Sequence, residues 1–267
     1  MKSIIQFIGL LALALSLNSC HLLSAAGLTS QGQPIKKAPE KLTSMTTNSA
    51  VNVDHSVWDS LLKKHVSSNG LVDYKGFESD RQSLNAYMQK LSSLNPTNDW
   101  SVQELLAYYI NLYNVYTVDL ILRNYPTNSI QDIDGAFTKA FIPIGKRTLS
   151  LGGLENGVLR KMNEPRIHFA INCASISCPK LLREAYTSAK INEQLEEAVN
   201  GFINSDKNEI SPSDAKISSI FKFYTKDFIS EETPDLPAYI NMFSKTKIVP
   251  GAAVTYKEYN WSLNEQK

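Results

Sequence analysis

Two cysteines in a loop of small residues carry the most reactive side chains of this sequence. Residues 166–179 read RIHFAINCASISCP, so an apolar run leads into Ala, Ser and Cys before Pro179 fixes the exit. A thiolate at Cys173 could attack an acyl carbon if a base or a positive dipole lowers the pKa of the thiol. Small residues also let a substrate approach backbone N–H groups, which can stabilise an oxyanion. The segment makes Cys173 a candidate nucleophile.

The same two thiols can instead form a disulfide. Besides Cys20, the chain holds only Cys173 and Cys178, and disulfides form readily in exported proteins. Such a bond would leave no free thiol and would make the loop a rigid lip for ligand binding that includes Cys178. The pair lacks C-x-x-C redox spacing, and no set of His and Cys has the spacing of a metal site. We therefore expect neither a metal nor a cofactor, and both states of the thiols stay open.

Two histidines are candidates for the base that a cysteine nucleophile needs. His168 precedes Cys173 by five residues, and on a regular strand that odd separation directs the two side chains to opposite faces. On such a strand, His168 and Cys173 could not form a catalytic dyad unless the strand bends. His55, which follows Asp54, could be brought to the loop by the fold. A single histidine is more often structural than catalytic, so each role depends on the tertiary structure.

The elements that must position these residues indicate a mixed α and β fold. Helices are predicted for residues 54–65, 80–94, 101–123, 154–162, 191–203 and 236–243. A β-hairpin is predicted for residues 141–151, and strands for residues 166–172, 215–220 and 254–259. The nearly continuous apolar run at 166–172 is typical of a strand in the centre of a sheet. Because no strand–helix–strand rhythm appears, we predict the α+β class, a helix-rich single domain with a small, mostly antiparallel sheet.

The third predicted helix carries two polar side chains on one side of an otherwise apolar surface. Ser101 and Glu104 form an S-x-x-E capping box at its start. Asn111 and Asn114 lie three residues apart within it and therefore share a face. A buried Asn must find partners for its amide. The two residues either anchor neighbouring backbone, which is the commoner outcome, or orient a substrate-binding site.

The first twenty residues are typical of a bacterial lipoprotein signal. Lys2 precedes an apolar stretch at residues 4–17, and Asn18 and Ser19 lead to Cys20. The stretch is shorter than the roughly 20 residues that span a bilayer. The alternative is an ordinary secretory signal with an incidental cysteine. If Cys20 is lipidated, its acyl chains attach the protein to a membrane in the cell envelope, in the periplasm or at the cell surface.

The composition of the remaining residues indicates how the rest of the chain is organised and which partners to expect. Residues 21–50 are rich in Ser, Thr, Gln, Ala and Lys and are predicted to form a flexible tether. Residues 51–267 are long enough for one domain with a substantial core. With 27 basic against 26 acidic residues, the chain has almost no net charge. No basic run occurs in the domain, so we expect no nucleic-acid partner.

Four blocks of this sequence resemble one known family. They are residues 54–56 with 72–74 (DHS, VDY), 104–114 (ELLAYYINLYN), 167–173 with 177–179 (IHFAINC, SCP) and 259–264 (YNWSLN). The third block is similar to the signature of the domain-of-unknown-function 547 family. The second resembles the central helix of that family, the first its opening, and the fourth the ending of its bacterial lipoprotein members. The likeness extends over nearly all of residues 51–267.

The resemblance implies a papain-like fold and a cysteine peptidase relationship. It gives Cys173 the role of nucleophile and makes Cys178 auxiliary, since some members carry Ser at the second position. The partner histidine of the family is expected in a Glu-His step on the short helix before the signature. Here that step is Glu155-Asn156, and Asn cannot act as a general base.

Three functions are consistent with these observations. The first is a cysteine-dependent hydrolase or transferase that acts on an amide or another acyl group, with His168 or His55 as the base. The second is a catalytically inactive, peptidase-like module that binds a peptide or a small thiol or acyl ligand, as Asn156 suggests. The third is a structural envelope lipoprotein with a Cys173–Cys178 disulfide.

Overall fold

The computed structural model describes residues 23–44 and 49–267. Cys20 and the predicted signal lie outside these residues. The α-helices are α1 Ser56–His65, α2 Tyr74–Ser79, α3 Arg81–Ser93, α4 Val102–Arg123, α5 Leu151–Gly157, α6 Ile191–Ile203, α7 Ser219–Phe223, α8 Thr225–Phe228 and α9 Leu236–Phe243. The strands are β1 Ile142–Ile144, β2 Arg147–Leu149, β3 Glu209–Ile210, β4 Asp214–Ile217 and β5 Ala253–Tyr256. Short 3₁₀ helices form at Ile130–Asp132, Leu159–Met162 and Pro165–Phe169.

Helix α4 lies at the centre of the domain because it is apolar around most of its circumference. The hydroxyl of Ser101 accepts a hydrogen bond from the Glu104 N–H at 3.1 Å, which caps the first turn. Helices α2, α3, α5 and α6 pack around it. Among the described residues, α4 is the one helix with the length and hydropathy to cross a bilayer, and the domain buries all of its most apolar 18-residue stretch. Its apolar surface is therefore accounted for by core packing.

Two small sheets accompany the helices. Strands β1 and β2 form an antiparallel hairpin in which Ile142 lies opposite Leu149. Strand β4 pairs antiparallel with β3 and parallel with β5, with Asp214 opposite Ala253. This helix-rich architecture with small sheets confirms the predicted α+β class. The predicted hairpin and the bounds of α6 and α9 are confirmed as well.

The predicted central strand at residues 166–172 is wrong, because residues Pro165–Phe169 form a 3₁₀ helix. The Glu164 side chain accepts a hydrogen bond from the Arg166 N–H at 3.1 Å, and Pro165 occupies the first turn. Both features favour a helix start. The apolar side chains of the segment are shared between two cores, since Ile167 packs in the larger and Phe169 in the smaller. On a strand, two residues that are two positions apart point to the same face, whereas here Ile167 and Phe169 point to different cores, as a helical backbone allows.

Residues 23–44 of the predicted tether contact the domain. The Tyr109 hydroxyl donates to the Pro34 carbonyl at 3.1 Å, and the Ala38 N–H donates to the Met162 carbonyl at 2.6 Å. A Cβ atom at Gly157 would collide with the Thr29 carbonyl oxygen. Glycine at this position of α5 therefore allows the close approach of the segment.

Candidate functional site

The candidate site is a cleft of about 260 Å³ that collects most of the predicted site residues. Its described lining comprises Tyr113, Phe137, Gly152, Glu155, Asn156, His168, Ile171, Cys173, Cys178, Pro179, Ile220, Phe223, Tyr224, Tyr259 and Trp261. These residues come from α4, α5, the 3₁₀ helix Pro165–Phe169, the cysteine loop, α7 and the C-terminal segment. Cys173, Cys178, His168, Glu155 and Asn156 are thus brought together.

A larger groove of about 550 Å³ shares Cys178 and Pro179 with this cleft. Its other described walls come from residues 68–71, the cysteine loop, residues 180–183, helix α6 with residues 205–207 after it, Phe169 and Asn264. Neither Cys173 nor any histidine belongs to the described lining of the groove. The smaller cleft is therefore the one that contains the candidate nucleophile Cys173 together with the imidazole of His168.

Cys173 and Cys178 form a disulfide in the structure, with their Cα atoms 6.1 Å apart. The Cys173 sulfur lies 3.2 Å from the Tyr259 hydroxyl and 3.4 Å from the Ser175 hydroxyl. Burial raises the pKa of Tyr259 to about 12, although a hydrogen bond with Ser175 opposes the rise. The phenol therefore keeps its proton at neutral pH and can donate it in a hydrogen bond beside the sulfur.

The backbone of the cysteine loop is fixed by asparagine side chains. Asn172 Oδ1 accepts from the Ala174 N–H at 2.9 Å, and Asn172 Nδ2 donates to the Pro179 carbonyl at 2.7 Å. Ala174 has φ +58°, a left-handed conformation that is rarely adopted by non-glycine residues. Asn264 supports it, since its N–H donates to the Ala174 carbonyl at 3.2 Å.

Most N–H groups of the cysteine loop have hydrogen-bond partners in this disulfide form. The Cys173 N–H contacts the Cys178 sulfur at 2.8 Å, and the Ala174 N–H is bonded to Asn172. The N–H groups of residues 176, 177 and 178 donate to the carbonyls of Ser262, Asn260 and Ser175. These five N–H groups are therefore not available as oxyanion donors in this form. Among the described side chains that can donate a hydrogen bond to the Cys173 sulfur, Tyr259 is the nearer, at 3.2 Å, and Ser175 lies at 3.4 Å.

His168 is held in the cleft wall by a carboxylate. Its Nε2 lies 2.8 Å from Asp227 Oδ2, and Arg160 donates to both Asp227 oxygens at 2.6 and 2.9 Å. Burial alone would raise the pKa of Asp227, but hydrogen bonds and the charges of His168 and Arg160 bring it well below its usual range. Asp227 thus stays ionised and orients the imidazole, as a carboxylate does in catalytic triads.

The imidazole of His168 is almost fully buried, with 1% of its side chain exposed. Its ring stacks on Tyr224 with centroids 3.9 Å apart, and Nδ1 has no hydrogen-bond partner among the described residues. The 3₁₀ conformation places His168 in the wall that also contains Cys173. The expectation of opposite faces assumed a regular strand, which this segment does not form. The described hydrogen bonds of the Cys173 sulfur nonetheless go to Ser175 and Tyr259.

Glu155 is a buried carboxylate between two tyrosines. It is 7% exposed and accepts hydrogen bonds from Tyr224 at 2.5 Å and from Tyr113 at 3.3 Å. Burial, together with the charge of Glu155, raises the pKa of both phenols above the usual range. Both hydroxyls therefore remain donors, and they stabilise the negative charge of the carboxylate.

The side chain of Asn156 links the N-terminal segment to Arg160 in the wall of the cleft. Its Nδ2 donates to the Ala25 carbonyl at 2.8 Å, and its Oδ1 accepts from Arg160 Nη1 at 2.8 Å. Both ends of the amide are therefore used, one on the N-terminal segment and one on the Arg160–Asp227 pair. This arrangement gives Asn156 a linking function in the cleft wall and agrees with its inability to act as a base.

Asn111 and Asn114 anchor backbone outside the described cleft lining. Asn111 exchanges two hydrogen bonds with the backbone of Tyr186, at 2.7 and 3.0 Å. Asn114 donates to the Ala170 carbonyl at 3.0 Å and accepts from the Asn172 N–H at 2.8 Å. Both side-chain amides thus anchor neighbouring backbone, which was the commoner of the two predicted outcomes, and they do not face a ligand site. Asn114 nevertheless positions the chain immediately before Cys173.

His55 lies in a separate cavity of about 380 Å³, so the fold does not bring it to Cys173. Its Nδ1 is 2.6 Å from the Tyr87 hydroxyl, and its Nε2 has no partner among the described residues. Burial, followed by the positive charge of Lys90, lowers the pKa of His55 to about 4. The ring is consequently neutral at pH 7, which suits a core histidine.

The sequence analysis missed three residues of the site. Asp227 and Tyr224 gave no signal, because they lie 59 and 69 residues after their partners His168 and Glu155. Tyr259 belongs to a block that carried the family resemblance, so the sequence could have marked this residue as a candidate, but it could not have predicted the contact of its hydroxyl with Cys173. Within the described chain, no group of three or more His, Cys, Asp or Glu is arranged to hold a metal ion.

Comparison with known families agrees with part of this picture. Residues 97–203 match the family described as "Protein of unknown function, DUF547", so the chain contains a DUF547 domain there. The match includes α4, α5, the cysteine loop and α6. No curated protein and no solved structure matches the chain. Asp227 and Tyr259 lie outside the matched residues.

Proposed function

We propose that this chain is an envelope lipoprotein, anchored through Cys20, whose domain is a cysteine-dependent hydrolase or transferase for amide or other acyl groups. One observation carries the catalytic part: Cys173 and the Asp227-oriented imidazole of His168 line the same cleft. Nucleophile, base and orienting carboxylate are the three parts that acyl transfer by a cysteine needs. A relationship to papain-like peptidases belongs to this proposal.

The disulfide is the oxidised form of the proposed site. An external dithiol reduces it, so that Cys173 and Cys178 each gain a hydrogen while the dithiol becomes a disulfide. His168 then takes the Cys173 proton, which gives a thiolate and an imidazolium that Asp227 stabilises. Reduction also ends the constraint that the sulfur of Cys178 places on the loop.

Acyl transfer follows in two steps. The Cys173 sulfur attacks the acyl carbon, a C–S bond forms, and the carbonyl electrons move to oxygen, where the Tyr259 hydroxyl donates a hydrogen bond. The C–N or C–O bond breaks as the leaving group receives the proton from His168. Water, or an acceptor amine, then attacks the thioester and gives a proton to His168; the C–S bond breaks, and Cys173 leaves as the thiolate beside the restored imidazolium.

The test is the pH dependence of Cys173 alkylation. Cys178→Ser leaves Cys173 without a disulfide partner, and iodoacetamide labelling is followed by mass spectrometry from pH 5 to 10. We expect an apparent thiol pKa at least one unit below the usual value of about 8.5. His168→Asn should restore the usual value, whereas the matched His55→Asn variant should not change it.

The proposal fails if the Cys178→Ser protein labels with an ordinary thiol pKa that His168→Asn leaves unchanged. Cys173→Ser in the same background is the control for the site of labelling. A lowered pKa would be followed by a screen of acyl substrates for release of the leaving group. Such turnover should disappear with Cys173→Ser.

The hydrogen bonds already made by most loop amides favour a second function, a peptidase-like module that binds a peptide or a small thiol or acyl ligand without catalysis. The disulfide would then be permanent and would form the rigid lip of the cleft. This alternative, and the structural lipoprotein, predict that both cysteines stay oxidised in protein isolated from the envelope. Quantitative thiol labelling before and after reduction separates them from the enzyme.

The anchor is tested independently of the cleft. Cells that express the chain are fed a labelled fatty acid, and the protein is immunoprecipitated. We expect label on the native chain and none on Cys20→Ser, which should also leave the membrane fraction. An ordinary secretory signal would give an unlabelled, released protein in both cases.

A further inference from the structure

The cleft beside Cys173 carries a single formal charge when His168 is neutral. Of its fifteen described lining residues, only Glu155 is acidic, and none is Lys or Arg. The nearest cation is Arg160, whose guanidinium is committed to Asp227 and to Asn156. The positive charge of Arg160 also acts on Glu155, but the described ion pair of the guanidinium is with Asp227, so Glu155 has only a distant and shared counter-charge.

Glu155 has no ion-pair partner among the described residues. Its two oxygens accept from Tyr224 and Tyr113, which leaves further lone pairs of the carboxylate unused. Removal of a carboxylate from water without a paired cation is costly. Retention of such a group in a cleft wall is explained if a ligand supplies the missing positive charge.

The walls around this carboxylate are aromatic. Six lining residues are Tyr, Phe or Trp, namely Tyr113, Phe137, Phe223, Tyr224, Tyr259 and Trp261. Faces of aromatic rings attract ammonium groups, and they do so most strongly where water is excluded. An aromatic pocket with one carboxylate therefore has the chemistry of an ammonium-binding site.

We propose that the cleft binds an alkylammonium group between Glu155 and these aromatic walls, so that the acyl substrate presented to Cys173 is cationic. A lysine-type side chain has the required chemistry, with an apolar stem for the aromatic faces and a terminal ammonium for the carboxylate. The identity of the reacting group rests on the proposed function, whereas recognition of the ammonium does not.

Binding is tested first with the oxidised native protein. n-Butylammonium chloride and 1-butanol are titrated separately at pH 7 and equal ionic strength, and fluorescence of Trp261 in the cleft reports occupancy. We expect n-butylammonium to bind roughly 10- to 100-fold more tightly, the range that a hydrogen bond to a charged group supplies. Equal affinities, or preference for the alcohol, would overturn the proposal.

Glu155→Gln should abolish the preference because it keeps the shape and removes the charge. Glu104→Gln is the matched control, since Glu104 is also a buried glutamate and accepts from the Val53 N–H at 2.9 Å, outside the cleft. It should retain the native preference. If Glu155→Gln does not fold, the comparison of the two ligands on the native protein decides alone.

Catalysis is tested in a separate arm. Nα-Acetyl-lysine p-nitroanilide and its norleucine analogue are compared with the reduced protein, and kcat/KM should favour lysine by roughly tenfold or more. Ammonium binding without turnover would leave this inference intact and defeat the proposed enzyme. Turnover with no preference for lysine would defeat the inference and leave the enzyme.

Discussion

Replacement of Asn114 by Ala should weaken the whole domain through the backbone that leads to Cys173. The Asn114 amide is buried and bonds to the Ala170 carbonyl at 3.0 Å and the Asn172 N–H at 2.8 Å. Removal of the amide leaves a buried acceptor and a buried donor unpaired, and each costs about 1–3 kcal/mol. We therefore expect the free energy of unfolding to fall by about 3–5 kcal/mol, and Tm to fall by roughly 10 °C.

Urea unfolding, followed by circular dichroism with the disulfide intact, measures this change. Asn200→Ala is the control, because the amide of Asn200 bonds to the Glu196 carbonyl of its own helix at 2.8 Å and faces solvent. It should change stability by no more than about 0.5 kcal/mol. A loss below about 1 kcal/mol for Asn114→Ala would refute the assignment of Asn114 as a backbone anchor.

Asn114→Asp separates hydrogen bonding from packing. The carboxylate can still accept from the Asn172 N–H, but it turns a second oxygen towards the Ala170 carbonyl, so the variant should be unstable at pH 7. Protonation restores a donor, and the folded state then has a raised Asp pKa and binds more protons than the unfolded state. Stability relative to the native protein should therefore recover as the pH falls towards 4. A deficit independent of pH would indicate lost packing instead.

Three further perturbations test other parts of the structure. The pKa of His55 is lowered to about 4 in the folded state, so the unfolded state takes up the proton first and the free energy of unfolding decreases as the pH falls below the unfolded pKa. The native protein should lose about 2 kcal/mol of stability between pH 7 and 5 through this residue, and His55→Gln should abolish that loss in urea unfolding. Cys173→Ser with Cys178→Ser should lower the free energy of unfolding by about 2 kcal/mol, as expected for a short disulfide loop, and an unchanged urea midpoint would contradict this. Gly157→Ala should displace Thr29 and expose residues 23–44 to limited proteolysis, whereas Gly201→Ala, which has free space around the added methyl group, should not.

The local signals in the sequence were sufficient for the long elements. Helix α4 has a capping box and an apolar circumference, and α6 has an amphipathic pattern, so both could be predicted from neighbours in the chain. The segment Pro165–Phe169 was misassigned because apolar continuity alone does not distinguish a strand from a short helix. The competing signal was Glu164 with Pro165, a cap followed by a helix-starting proline.

The cleft could be predicted only in part, since its composition depends on contacts that are distant in the sequence. Cys173 and His168 were identified from their residue types and their loop. Their orientation depends on Tyr259 and Asp227, which follow them by 86 and 59 residues. No periodic pattern encodes such contacts, because they arise only when the 3₁₀ helix and α8 pack in one core.

The absence of a histidine at position 156 does not leave the cleft without an imidazole. The position after Glu155, where the resemblance led us to expect a histidine, holds Asn156, which is bonded to Ala25 and Arg160. The imidazole of the cleft comes from His168 instead, and the same Arg160 that holds Asn156 also holds the carboxylate of Asp227. One arginine therefore couples the N-terminal segment to the orientation of the candidate base. Loss of the Asn156 amide should disturb both, so replacement of Asn156 by His should alter the wall around His168 as well as add an imidazole.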